Sequence, residues 1–155
     1  FLLSGPEPHR TILEDLILKD VAQLNCHCIL LRGLPDSNTA VATNNNLVVH
    51  NHLSGSELNE VLLSSEYIIC RSGYTSIMEL LALEKKAILI PAEGQTEQEY
   101  LAKTLSEKGY AVACSQKNLL LEEAFLQLEN CKGFPKHIAD IKKLETAINS
   151  LFEQW

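Results

Sequence analysis

The chain has no apolar run approaching the roughly 20 residues that a membrane-crossing helix needs. Its first residues, Phe1-Leu2-Leu3-Ser4, carry no basic stretch and do not read as a signal peptide. No basic face is evident either. The formal net charge is −7, and Lys and Arg are scattered apart from the pairs Lys85-Lys86 and Lys142-Lys143. Nucleic-acid binding draws on a cluster of cations that release phosphate counterions, so no nucleic-acid partner is expected. The acidic balance equally disfavours attraction to anionic lipid. There is no G-x-G-x-x-G, no P-loop, no defensible Ser/His/Asp or Cys/His arrangement, no internal repeat and no low-complexity segment. An initiator Met is also missing, the one Met being Met78. A chain that opens inside a strand is expected to be part of a longer protein.

Five cysteines are present, Cys26, Cys28, Cys70, Cys114 and Cys131. The odd number and the apolar, strand-like surroundings of four of them point to buried free thiols in a reducing compartment, and so to a cytoplasmic protein. Cys26-His27-Cys28 could suggest a metal. Strand alternation would put both sulfurs on one face and His27 on the other, and no second ligand pair lies at a zinc spacing, so no metal site is expected. His50-Asn51-His52 reads as a polar loop for the same reason, with no carboxylate or third His nearby.

What the chain does have is alternation. At 155 residues, 46% hydrophobic and 21% charged, it suffices for one domain burying about 70% of its extended surface. Strands are expected at Phe1–Ser4, Cys26–Leu31, Leu47–His50, Tyr67–Cys70, Lys86–Pro91 and Tyr110–Cys114. Helices are expected over Arg10–Gln23 (Ile12, Leu13, Leu16, Ile17), from Gly55 or Ser56 to Ser64, over Tyr74–Leu83, Glu97–Lys108 and Leu119–Leu128, and over Lys136–Phe152. Gly109 is placed to end a helix, and Asn44-Asn45-Asn46 to make a turn. Ala87-Ile88-Leu89-Ile90 is apolar throughout, as a strand covered on both faces should be. Alternating strands and helices imply right-handed crossovers, hence an α/β domain with a doubly wound parallel sheet and helices on both faces.

Ligands of such sheets bind beyond the carboxyl ends of the strands, which singles out the loops after Ser4, His50, Cys70 and Pro91. The most informative is Ile68-Ile69-Cys70-Arg71-Ser72-Gly73-Tyr74-Thr75-Ser76. A buried strand turning through Gly into a helix leaves several N–H groups unpaired at the positive end of the dipole, which suits a phosphate. Ser72, Thr75, Ser76 and Glu79 fall on one helical face, so Glu79 could accept from ribose hydroxyls one turn along. The bland alternative makes Ser72 an N-cap and Glu79 a solvated charge. Gln95 and Gln98, either side of Thr96-Glu97, carry amides suited to sugar hydroxyls; a polar loop with a capping box from Thr96 to Glu99 is the alternative. Gly5-Pro6-Glu7-Pro8-His9-Arg10 could place Gly5 amides and Arg10 beside a phosphate, or be a rigid turn whose Glu7 has the wrong charge for one.

The run Tyr67-Ile68-Ile69-Cys70-Arg71-Ser72-Gly73, then Ser76, Glu79-Leu80, Ala87-Ile88-Leu89-Ile90-Pro91 and Gln98-Glu99-Tyr100, resembles the C-terminal, donor-binding half of family 28 glycosyltransferases. The likeness is densest over residues 47–113. It implies one half of a two-domain GT-B enzyme with a Rossmann-like fold, residues 1–155 being the nucleotide-sugar-binding domain and an N-terminal acceptor domain lying elsewhere in the protein. It implies that Arg71, Ser72 and Gly73 face the diphosphate, that Thr75 and Ser76 line the helix start, and that Glu79 bonds the ribose. Backbone near His52 and Leu53 would meet the uracil edge, and Gln98 the sugar hydroxyls. Three departures from the family pattern stand out. Ser4-Gly5-Pro6-Glu7-Pro8 replaces a glycine-rich loop, Gln98-Glu99 replaces Gln-Gln, and Glu84-Lys85 occupies a position where Gly is typical.

The function so implied is transfer from a UDP-sugar, UDP-GlcNAc or a near relative, to an unidentified acceptor. No catalytic residue, metal or cofactor is assigned to this half, the UDP-sugar being a substrate, and any membrane association would run through the other half. Two alternatives stay open at this point: hydrolysis or 2-epimerisation of a UDP-sugar on the same fold, and a non-catalytic nucleotide-binding or assembly subunit.

Overall fold

The computed structural model describes residues 1–39 and 46–135. The expected turn at residues 44–46 lies largely, and the expected helix at 136–152 wholly, outside them. Among the described residues five short strands run parallel: β1 (Cys28–Leu31), β2 (Leu47–His50), β3 (Tyr67–Cys70), β4 (Lys86–Leu89) and β5 (Val112–Ala113). The expected strand at Phe1–Ser4 is reduced to bridges from Leu2 to Leu31 and to Cys70. Those bridges, with Leu2 N–H donating to Ile69 O at 2.8 Å and Leu3 N–H to Leu31 O at 2.9 Å, place the N-terminal segment between β1 and β3. The spatial order is therefore β2, β1, N-terminal segment, β3, β4, β5.

Alternation along the central strands divides the core between the two faces of the sheet. Ile69, Ile88 and Ile90 pack with Leu13 and Ile17 of α1 (His9–Asp20) and with Leu121, Ala124 and Leu128 of α5 (Leu121–Glu129). Ile68, Cys70, Ala87 and Leu89 pack on the other side with Leu62 of α2 (Gly55–Ser64), Ile77 and Leu80 of α3 (Tyr74–Ala82), and Ala102 of α4 (Thr96–Glu107). This is the doubly wound α/β sheet that the alternation predicts.

Several boundaries differ from expectation for local reasons. Helix α1 ends at Asp20 and tightens into a 3-10 turn over Val21–Gln23. Ile12, expected on its apolar face, is 45% exposed, while Arg10 and Glu14 are buried in its place. Helix α2 is capped by Ser54, whose N–H and hydroxyl both donate to the Glu57 carboxylate, at 2.9 and 2.7 Å. In α4 the Thr96–Glu99 capping box, the alternative to a sugar-binding loop, is not formed; Glu99 accepts from the N–H of Gly94 at 3.0 Å. Gly109, at φ +71°, does end that helix, its N–H reaching Ser106 O at 2.8 Å. Cys26 is exposed rather than buried, because it sits in a bend before β1 begins. Among the described residues, no helix is long and apolar enough to cross a membrane.

Candidate functional site

The strand ends and helix starts that the α/β rule selects are knitted together by buried polar side chains. Arg71, directly after β3, is 2% exposed. Its Nη2 donates to His9 O, at the start of α1, at 2.8 Å. Its Nη1 donates to Ile90 O and Pro91 O, after β4, at 3.1 and 3.3 Å. Ser72 is fully buried, and its hydroxyl donates to Gln98 O in the first turn of α4 at 2.8 Å. Gln98 in turn accepts from Ala92 N–H at 3.0 Å through its amide oxygen. The starts of α1, α3 and α4 are thus fixed around one corner, and their dipoles bring partial positive charge to it.

At that corner α3 opens on Gly73, and no side chain caps it. The N–H groups of its first turn lack intrahelical partners by geometry. The space over Gly73 is open, nothing lying within 4 Å of where a Cβ would stand. Thr75 is exposed and Ser76 half-buried. Glu79, one turn further, is exposed and lines a groove with Gly55, Ser56, Asn59 and Leu83, between α2 and α3. The hydroxyls and the carboxylate therefore line one edge of the helix, as their spacing predicts.

Other candidate residues are placed differently. The Arg71 side chain folds back on the sheet: both Nη atoms donate to carbonyls, Nε is buried without a partner among the described residues, and burial alone pushes its pKa down. Ser72 is neither an N-cap nor a surface hydroxyl, its donor being spent on α4. Arg10 is also withdrawn. It bonds Glu7 through Nε at 2.7 Å and Glu14 through Nη1 at 2.6 Å, and its side chain is 7% exposed. Glu14 takes a second arginine, Arg32, at 2.6 Å, and Arg32 reaches Asn51 Oδ1 at 2.9 Å. This buried network holds the loops after β1 and β2 against α1. Its signal in the sequence is the placing of Glu7 and Glu14 three residues before and four residues after Arg10.

Gly5, at φ +99°, is exposed with open space above it. His52 and Gln95 are exposed and Leu53 half-buried, His52 and Leu53 lying on the loop after β2. Gln98 keeps its amide nitrogen without a protein partner among the described residues, but its oxygen is engaged. Among the described residues no group of three or more His, Cys, Asp and Glu could hold a metal ion.

Residues 16–151 match the family model described as the glycosyltransferase family 28 C-terminal domain. A relative from Syntrophus aciditrophicus (strain SB), a UDP-N-acetylglucosamine--N-acetylmuramyl-(pentapeptide) pyrophosphoryl-undecaprenol N-acetylglucosamine transferase, is 31% identical over 94 residues, covering 57% of this chain and 25% of its own. Among solved structures, Acinetobacter baumannii MurG superposes with a TM-score of 0.57 at 17% identity, covering 83% of this chain and 40% of the other. The spinosyn forosaminyltransferase SpnP superposes at 0.54 and 17% identity, covering 96% and 43%. The chain spans about a quarter of the length of the curated relative it matches, and the structural likenesses establish the fold. With a family match over most of its length, this chain belongs to the glycosyltransferase family 28 C-terminal domain family.

Proposed function

We propose that this chain is the donor-binding half of a glycosyltransferase that takes a UDP-sugar, UDP-GlcNAc or a near relative, and glycosylates an acceptor held by an N-terminal domain elsewhere in the protein. The observation that carries this reading is the uncapped start of α3, open above Gly73 and set between the starts of α1 and α4. Free N–H groups and converging dipoles suit a diphosphate and stabilise the charge that builds on it as the sugar leaves. Thr75 and Ser76 supply hydroxyl donors to the same anion. Glu79 accepts from the ribose hydroxyls, and the loop carrying His52 and Leu53 reads the base. Gln95 and the free amide nitrogen of Gln98 serve the sugar. The donor set needs no metal, since backbone amides and helix dipoles face the phosphates. The base that deprotonates the acceptor belongs to the other half, as does any contact with the inner face of a membrane, and the protein works in the cytoplasm. The activity that the Syntrophus relative is named for, transfer of N-acetylglucosamine, supports the sugar class.

Titrating the chain with UDP, UMP and uridine while following backbone amide resonances tests this directly. Expected are shifts centred on Gly73–Ser76, saturating with UDP more tightly than with uridine. At 100 times its Kd, UDP should add about 2.7 kcal/mol of stability. An absence of shifts with millimolar UDP would remove the proposal and leave the fold.

A further inference from the structure

The two cysteines at the head of β1 stand apart from the other three. Their sulfurs are 3.7 Å apart, and the Cys28 thiol also reaches back to Cys26 O at 3.8 Å. Among the described residues no other two cysteine sulfurs are in contact; Cys70 and Cys131 are buried, and Cys114 is half-buried. The pair is asymmetric. Cys26 lies exposed in the bend before the strand, whereas Cys28 is 7% exposed and packs into the core beneath α1. Both open on one edge of a groove of about 470 Å³ at the amino ends of β1 and β3, which Phe1, His27, Glu66 and Tyr67 also line. A small molecule can therefore approach the exposed Cys26, while Cys28, 7% exposed, offers little of its side chain to the groove.

We propose that Cys26 and Cys28 form a thiol–disulfide exchange site that takes low-molecular-weight disulfides such as oxidised glutathione. In the first step the Cys26 thiolate attacks one sulfur of the small disulfide. The mixed disulfide forms, and the first small thiolate leaves and takes up a proton. In the second step Cys28 gives its proton to solvent and its thiolate attacks Cys26 Sγ. The internal disulfide closes, and the second small thiolate leaves. Two protein thiols are oxidised and one small disulfide is reduced to two thiols, so electrons and protons balance. Contact between the sulfurs makes the second step intramolecular. Burial pushes the Cys28 thiol up to about 12, with the contact to Cys26 as a second cause. The closing step should therefore be the slow one and should accelerate as pH rises. The site lies at the opposite end of the sheet from the α3 corner and stands independently of the function proposed there.

The test equilibrates the reduced chain in glutathione buffers of increasing oxidation, quenches in acid, alkylates free thiols in denaturant and maps the peptides by mass. Expected is a peptide containing Cys26 and Cys28 that is lighter by two hydrogens and takes no alkyl group, with Cys70, Cys114 and Cys131 still labelled. In Cys28→Ala the reaction should stop at a glutathione adduct on Cys26, and in Cys26→Ser no adduct should appear at Cys28. The wild-type adduct should convert faster at pH 8.5 than at pH 7, about the ordinary thiol range. Two free thiols in fully oxidised glutathione, a permanent adduct on wild-type Cys26, or a disulfide between two chains would each overturn the proposal. The wild-type measurement alone decides it should the Cys28 variant fail to fold.

Discussion

Arg71, the residue after β3, donates from Nη2 to the carbonyl of His9, the first residue of α1, across 62 positions of sequence and 2.8 Å of space. The same guanidinium reaches Ile90 O and Pro91 O beyond β4. One buried cation therefore fixes the distances among three segments that frame the candidate site, and does so with fork geometry that an ammonium cannot copy. Arg71→Lys should leave at least one of these carbonyls unpaired and cost about 1.5–3 kcal/mol of stability, the range for hydrogen bonds to a charged group. Urea unfolding measures this. A loss below half a kcal/mol would mean the clamp is not holding the corner.

Glu79 offers the opposite test, because it is exposed. Its replacement by Gln should move stability by no more than about 0.5 kcal/mol. If its carboxylate takes the ribose hydroxyls, UDP affinity should fall roughly tenfold or more, tenfold being about 1.4 kcal/mol. The same substitution should leave the affinity for a 2′,3′-dideoxy analogue unchanged. Equal losses for both nucleotides would place Glu79 outside the ribose contact.

These two residues also show what the sequence can reveal. Ile68-Ile69-Cys70 and Ala87-Ile88-Leu89-Ile90 are continuously apolar because both faces of the sheet are covered, and that pattern was enough to predict the layers. The face shared by Thr75, Ser76 and Glu79 was legible from helical spacing alone. Arg71 was not. A basic residue after a strand can turn toward the crevice or fold back on the sheet, and its acceptors here come from 19, 20 and 62 residues away. Arg10 carried a local signal in Glu7 and Glu14, but its burial depends on Arg32 sharing Glu14. Cys26 misled because the apolar run suggested a strand beginning two residues before β1 does.

Two carboxylates make acid sensitivity predictable. Hydrogen bonds from the Ser54 hydroxyl and N–H hold Glu57 below its ordinary value of 4.5, and bonds from Thr11 and Arg10 do the same for Glu7. A depressed folded pKa means that the unfolded chain binds protons first. The contribution is therefore complete above the ordinary value and is lost as pH falls through the folded one. Glu57→Gln should lower the urea midpoint at neutral pH, and its difference from wild type should shrink on acidification to about pH 3. A difference that stays constant over that range would show that the carboxylate charge plays no part in capping α2.

The end of α3 carries a local conflict that one substitution can relieve. Glu84 adopts φ +53°, the only positive φ among the described non-glycine residues. Its position follows from how the helix stops: Glu84 N–H donates to Leu81 O at 3.3 Å and Lys85 N–H to Leu80 O at 3.1 Å. That is the paired ending which glycine favours at its left-handed residue. The side chain at Glu84 opposes this backbone by roughly 1–2 kcal/mol, against which the greater freedom of an unfolded glycine returns about 0.4–1 kcal/mol. Glu84→Gly should therefore be more stable than Glu84→Ala, which keeps the backbone conflict without the carboxylate, by about half to 1 kcal/mol, read as a higher urea midpoint with an unchanged slope. The site is far along the helix from Gly73, so UDP affinity should not move. A Gly variant no more stable than the Ala variant would show that this left-handed residue carries no backbone strain.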